Sequence, residues 1–327
     1  MKRIAITGMG VVTPVGVGVD AMWDSISKGR SGITPTTNFD ASEYTSRISG
    51  YIHDFDPSWL LDSKELRRMA RFQQFAMVAA EEAIKDSALV IDESNAERVG
   101  VIVGSGIGGL QTMEDQTAIL LERGPSRISP FLVPMMIVDL AAGLISIRHG
   151  AKGINYAPVS ACATGNHAIG EAAEAIRRGT ADVIIAGGFD AGVTPLGVAG
   201  FCAARALSTR NDDPTAASRP YDSGRDGFVI GEGGAALVLE DWDHAQARGA
   251  KIHAELLGYG ASADAYHITS PAPDGSGAIR SMRMAVEQAG IALGDIGYVN
   301  AHGTSTQQGD IGETRAIKAV FGASTPP

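Results

Sequence analysis

Cys162 sits in "VSACATGNHAIGEAAEAIRRG", residues 159–179, where a short apolar run gives way to a helix-forming stretch. Ala161, Ala163 and Gly165 are small enough to let the backbone turn sharply. The stretch after the cysteine ends in Arg177, Arg178 and Gly179, a C-terminal helix signature. Cys162 is therefore expected at or just before a helix N-terminus, with Thr164 helping to cap it. The partial positive charge of such a terminus favours thiolate over thiol, and N–H groups at the corner can hold an oxyanion. The competing reading is a small buried side chain, the usual use of cysteine. Cys202, in "GFCAARALS", has no such corner and is expected to be buried.

A thiol nucleophile needs a positioned imidazole for proton transfer or for hydrogen bonding to developing charge. His302, in "YVNAHGTSTQQGD", follows a strand-like run and precedes Gly303, Thr304 and Thr306. The two threonines lie two residues apart, so in an extended segment they face the same way, suited to binding amide groups of a long ligand. The competing reading is a loop histidine among residues with turn chemistry. His167, five residues after Cys162 on the helix, is expected to point elsewhere. A cysteine protease is the other common use of Cys and His, but none of its local signatures is present.

These side chains must be carried by an alternation of short strands and helices, which favours an α/β layered fold. Strands are expected at residues 3–7, 99–103, 154–159, 182–186, 228–230 and 235–239, and helices at 64–87, 163–178 and 277–289. "GEGG", residues 231–234, reads as a hairpin turn or bulge. A weak internal repeat is visible. "KRIAITGMGVVT" at the start resembles "KIHAELLGYGAS" from Lys251, and "RVGVIVGSGIGG" from Arg98 resembles "DIGYVNAHGTST" from Asp295. Either this is chance, or residues 1–250 form one complete half and residues 251–327 begin a second. On the second reading the next element would be a strand leading into another corner like that at Cys162. A second half left unfinished would expose sheet edges and apolar faces.

Composition bounds the partners. The net charge of −10 disfavours nucleic acid. No apolar run reaches the ~18 residues a bilayer span needs, and the early apolar stretch is broken by Thr7, Gly8 and Gly10, so it reads as a first strand rather than a signal peptide. Two cysteines without paired spacing make a disulfide framework the weaker reading, and the cytoplasm is the expected location. Lys64, Arg67, Arg68 and Arg71 fall at i, i+3, i+4 and i+7, one face of a helix. Such a face is either simply solvated or a dock for an acidic partner.

"VSACATG", "RALSTRNDDPTAASRPYDSGRDGFVIGEG" and "VNAHGTST" together resemble the condensing enzymes of fatty-acid synthesis, the β-ketoacyl-acyl carrier protein synthases of the type II class. "GSGIGG", "RISPFLVPMMI" and "DAYHITSPAPDG" are similar to the same class, so the resemblance covers essentially the whole chain. It implies a thiolase fold, layered αβαβα and built from two similar halves. Cys162 would take an acyl chain as a thioester, and malonyl carrier protein would lose CO2 and attack it, lengthening the chain by two carbons. His302 would assist decarboxylation. Thr304 and Thr306 would bind the phosphopantetheine arm, which the acyl carrier protein supplies, with no cofactor or metal held by the chain. Glu313 would pair with the family's active-site lysine. Ile107 and Phe201 would line the acyl pocket, and Leu132 would reach it across a homodimer interface. Core packing is the alternative for these three. The basic face at Lys64, Arg67, Arg68 and Arg71 would dock the carrier.

Two departures stand out. Gln307 occupies a position where the family usually has proline. The family also continues into a lysine, a second histidine and a Gly-rich loop, and Lys318 is not that lysine. The expectation is a C-terminally truncated chain with an incomplete catalytic set. The other readings are a catalytically incomplete or non-catalytic fragment, a polyketide-type ketosynthase of the same fold, and a thiolase-fold enzyme acting on coenzyme A thioesters. The motifs at Cys162 and His302 argue against the last.

Overall fold

Alternating apolar runs set the centre of the molecule. In the computed structural model, which describes residues 2–322 and 325–326, the strands are β1 (Ile4–Thr13), β2 (Gly16–Val17), β3 (Thr34–Pro35), β4 (Ile48–Ser49), β5 (Val99–Gly104), β6 (Asn155–Tyr156), β7 (Val183–Ala191), β8 (Glu232–Asp241) and β9 (Ala254–Glu255). The helices are α1 (Val19–Ser27), α2 (Ser63–Leu66), α3 (Arg71–Ser87), α4 (Leu110–Arg123), α5 (Leu132–Met136), α6 (Leu140–His149), α7 (Thr164–Arg177), α8 (Pro195–Ala203), α9 (Trp242–Ala247), α10 (Ser276–Ala289) and α11 (Gln307–Phe321).

The chain packs as two compact units. The first comprises residues 1–33, 50–198 and 231–256, and the second residues 34–49, 199–230 and 257–327. Space therefore cuts the chain differently from a single division at residue 250, because two earlier stretches join the second unit.

In the first unit the sheet runs β2-β1-β8-β7-β5-β6, with β9 also on β1. The β5–β7 and β5–β6 pairs are parallel, and β8 runs antiparallel to both β7 and β1. The period of two along β5 sends Val99, Val101 and Val103 to one face and Ile102 to the other. The first face packs on α3 and α6 through Phe72, Phe75, Ala142 and Ile145. The second packs on α7 through Ala168, Ala172, Ala173 and Ile176. Every residue of β5 is buried, as a central strand covered on both faces requires.

The internal repeat has a structural counterpart. A Cβ built on Gly8 or Gly10 would come within 2.1 or 2.0 Å of the carbonyl oxygens of Ala83 and Ala79 in α3. A Cβ on Gly258 or Gly260 would come within 2.1 or 2.0 Å of those of Ala285 and Ser281 in α10. In each Gly-x-Gly the middle residue donates its N–H to a side chain of the facing helix: Met9 to Asp86 at 3.1 Å and Tyr259 to Gln288 at 2.6 Å. Backbone crosses helix at contact distance, which only glycine permits. The two copies differ in pairing. β1 is a ten-residue strand, whereas residues 257–262 and 296–301 lie outside any described β-ladder.

Several expectations need correction. The helix expected over 64–87 is two, α2 and α3, because Ala70 is extended (φ −68°, ψ 158°) and its N–H is capped by the buried side chain of Gln73. Phe228 makes a single parallel bridge to Leu207 rather than starting a strand. Consequently "GEGG" is no hairpin: Gly231 bridges Gly50, and Glu232–Gly234 open β8 in unbroken register with β7. Cys202 is half-buried on α8 rather than buried.

Candidate active site

The chemistry-bearing side chains fall in both units. In the first, a 3₁₀ turn at Ala161–Ala163 leads directly into the fourteen-residue α7, placing Cys162 just ahead of the positive end of that helix. Its side chain is exposed, which removes the buried reading. Ala161 has φ 50°, a left-handed conformation that costs about 1 kcal/mol in a residue with a Cβ and needs outside support. That support is visible. Thr164, the first residue of α7 and buried, accepts the Ser160 N–H at 2.9 Å. The Ser160 hydroxyl meets His167 Nδ1 at 2.6 Å, so His167 braces the corner instead of pointing elsewhere.

Glycine lets the β5 end approach this corner. A Cβ on Gly104 would meet Pro158 O at 2.2 Å and Thr164 Cγ2 at 2.5 Å, and one on Gly106 would meet Ala161 Cα at 3.2 Å. The loop after β5 is held by one carboxylate. Asp190 accepts the Ser105 hydroxyl at 2.6 Å and the N–H groups of Gly106 and Ile107, each at 3.0 Å. Ile107 is 39% exposed, so it is not a core side chain. Leu132 is half-buried at the first position of α5.

In the second unit, α11 organises the His302 loop. Thr306 is its N-cap and accepts the Gly309 N–H at 3.2 Å. Thr304 and Thr306 do face the same way, their hydroxyls 2.9 Å apart. Two carboxylates one turn apart on the helix hold the loop. Glu313 accepts the N–H groups of His302 (2.6 Å) and Gly303 (2.9 Å) and the hydroxyl of Tyr221 (2.7 Å). Asp310, buried, accepts the N–H groups of Ser305 (3.1 Å) and Tyr221 (2.7 Å) and pairs with the buried Arg225 at 3.1 Å. Arg225 also donates to the carbonyls of Thr306 and Gln307. Gln307 is the first residue of α11, where a proline is equally at home. Its side-chain amide donates to the Arg225 carbonyl, a link proline lacks. Burial, then the Glu313 hydrogen bond, push the Tyr221 phenol above its ordinary value, so it stays a donor. Phe201 is half-buried with its ring edge-on to Phe228, centroids 5.2 Å apart.

The basic residues after Asp62 do not share one face. Lys64, Arg67 and Arg68 are exposed, Arg68 with its guanidinium 4.5 Å over the Phe131 ring. Arg71 turns inward instead. It forks onto Glu232 at 2.7–3.1 Å, donates to Ile52 O, and lies over the rings of Tyr51 and Phe75. The break at Ala70 separates it from the other three.

Sequence reasoning missed Asp190, Asp310, Arg225 and Tyr221. The spacing of Asp310 and Glu313 at i, i+3 behind "HGTST" was the one local signal for the loop's carboxylate pair.

Residues 1–245 match the family described as Beta-ketoacyl synthase, N-terminal domain, and residues 253–327 match Beta-ketoacyl synthase, C-terminal domain. Proteins named 3-oxoacyl-[acyl-carrier-protein] synthase 2 from Synechocystis and from Vibrio harveyi are 52% and 50% identical over 321 residues, 98% of this chain and 77% of theirs. A solved beta-ketoacyl synthase from Burkholderia phymatum has a TM-score of 0.90 at 38% identity, covering 98% of this chain and 79% of that one. A type II polyketide ketosynthase solved with its acyl-carrier protein and bound to the hexaketide has a TM-score of 0.87 at 35% identity, covering 100% and 80%. The layered fold of these structures, the thiolase fold, is therefore the fold of this chain. Among the described residues, no helix is long and apolar enough to cross a membrane.

Proposed function

The chain belongs to the beta-ketoacyl synthase family, and from that premise we propose that it is a 3-oxoacyl-acyl carrier protein synthase, acting in the cytoplasm as a homodimer. It condenses malonyl-carrier protein with an enzyme-bound acyl chain. The observation that carries this reading is the exposed thiol of Cys162 on a braced corner at the start of α7, in a chain 50–52% identical to proteins of that name.

Cys162 Sγ attacks the carbonyl of an acyl-carrier thioester. A new C–S bond forms, the old one breaks, and the proton leaves with the phosphopantetheine thiol. The partial positive charge at the start of α7 favours the thiolate. In the second step the malonyl thioester loses CO2. The electron pair of the broken C–C bond attacks the Cys162 thioester and expels the thiolate. His302 hydrogen-bonds the malonyl thioester oxygen as charge builds there. Thr304 and Thr306 offer hydroxyls to the amides of the arm, and Lys64, Arg67 and Arg68 meet the acidic carrier. Ile107, Phe201 and Leu132 contact the acyl chain, Leu132 from the other subunit.

Incubation with acyl-loaded carrier protein should add one acyl mass to the peptide containing Cys162, and malonyl-carrier protein should then yield a 3-oxoacyl product. Cys162→Ala should abolish the adduct and lower turnover by at least about 10³-fold. An unmodified Cys162 peptide would refute the reading. A polyketide-type role is the second reading, favoured by the likeness to a hexaketide-bound ketosynthase. It would appear as efficient extension of unreduced β-keto acceptors.

A further inference from the structure

Tyr221 stands in an exposed segment, yet both of its ends are fixed. Its main chain has φ 66°, unfavourable for a bulky side chain. Its N–H is held by Asp310 at 2.7 Å and its hydroxyl donates to Glu313 at 2.7 Å. These carboxylates lie one turn apart on α11, so the tyrosine spans them like a strut. Glu313 already takes the His302 N–H on Oε1 and the Gly303 N–H on Oε2, and the phenol shares Oε2. The terminal torsion of a glutamate is intrinsically broad, and each donor bound to the carboxylate narrows it, so the phenol adds a third restraint to the two backbone N–H groups. A charge-assisted O–H···O⁻ bond is among the stronger hydrogen bonds available.

We propose that Tyr221 is a positioning residue for the condensation: through Glu313 it fixes the backbone of His302 and Gly303, and so sets the approach of the imidazole to the malonyl thioester. The proposal rests on the reading of His302 given above. The phenol never touches substrate. It acts through a carboxylate that holds the histidine's own N–H.

Tyr221→Phe removes one hydroxyl and keeps the ring. The decarboxylation of malonyl-carrier protein should lose about tenfold in kcat, the scale of one charge-assisted hydrogen bond, with KM within about twofold. Acylation of Cys162, a step that does not use His302, should keep its rate. Amide exchange in the same variant should quicken at His302 and Gly303. It should not quicken at Gly227 or Ser305, whose N–H groups bond to Ser305 O and Asp310. A wild-type decarboxylation rate, unchanged exchange at His302 and Gly303, or equal quickening at all four amides would overturn the proposal. Should the unmodified chain neither acylate nor decarboxylate, the functional reading fails, and the exchange comparison still decides whether Tyr221 fixes the loop.

Discussion

Single atoms decide much of this site. The proposed nucleophile is one sulfur, but its placement depends on Ala161 in a left-handed conformation held by Thr164, Ser160 and His167. The histidine loop depends on four carboxylate oxygens of Asp310 and Glu313. The raised pKa of Tyr221 has a sign that can be tested. A phenol in the unfolded chain titrates near pH 10, and in the folded chain it holds its proton longer. Its contribution to stability is therefore complete below about pH 10 and is lost as pH rises above it. The melting temperature of the wild-type chain should fall more steeply above pH 10 than that of Tyr221→Phe. Parallel curves for the two would show that the phenol titrates alike in both states.

At the scale of elements, the Gly-x-Gly crossings are among the tightest contacts. Gly10→Ala would press a methyl group against the Ala79 carbonyl and should cost on the order of 3 kcal/mol. Gly29→Ala is the control. Its φ of 65° disfavours alanine, but nothing lies within 4 Å, so about 1 kcal/mol is expected. Denaturant midpoints of the two variants measure the difference, and equal midpoints would mean the crossing relaxes freely. Much of this was legible in the sequence. The cysteine corner, the helix after it, the histidine loop and the repeat of Gly-x-Gly were readable from residue size and spacing. What escaped was non-local. Asp190 lies 85 residues from Ser105, and Tyr221 lies 92 from Glu313. No periodicity links such pairs. The helix break at Ala70 was missed because alanine is a strong helix former, and the capping came from the buried Gln73.

At the scale of the whole molecule, charge is the lever. A chain of net charge −10 repels an acidic carrier except where cations gather locally. Lys64, Arg67 and Arg68 supply such a gathering, while Arg71 is committed to Glu232. Reversing Arg67 and Arg68 to Glu should raise KM for acyl carrier protein at least about tenfold at low salt, with a smaller effect as screening shortens the reach of the charges. Arg71→Ala should instead act on thermal stability. An unchanged KM in the double reversal would place the carrier elsewhere.

The order in which the ribosome releases these residues adds a constraint of time. Tyr221 and Arg225 leave the ribosome well before the carboxylates that hold them, Asp310 following Tyr221 by 89 positions. At roughly 5–20 residues per second, about 4–18 s pass before α11 can meet its partners. For that interval the guanidinium of Arg225 waits in water, and the stretch around it is open to proteases and chaperones alike. Slowed translation between residues 225 and 310 would lengthen this window, so the yield of the loop carrying His302 in the cell should depend on synthesis rate.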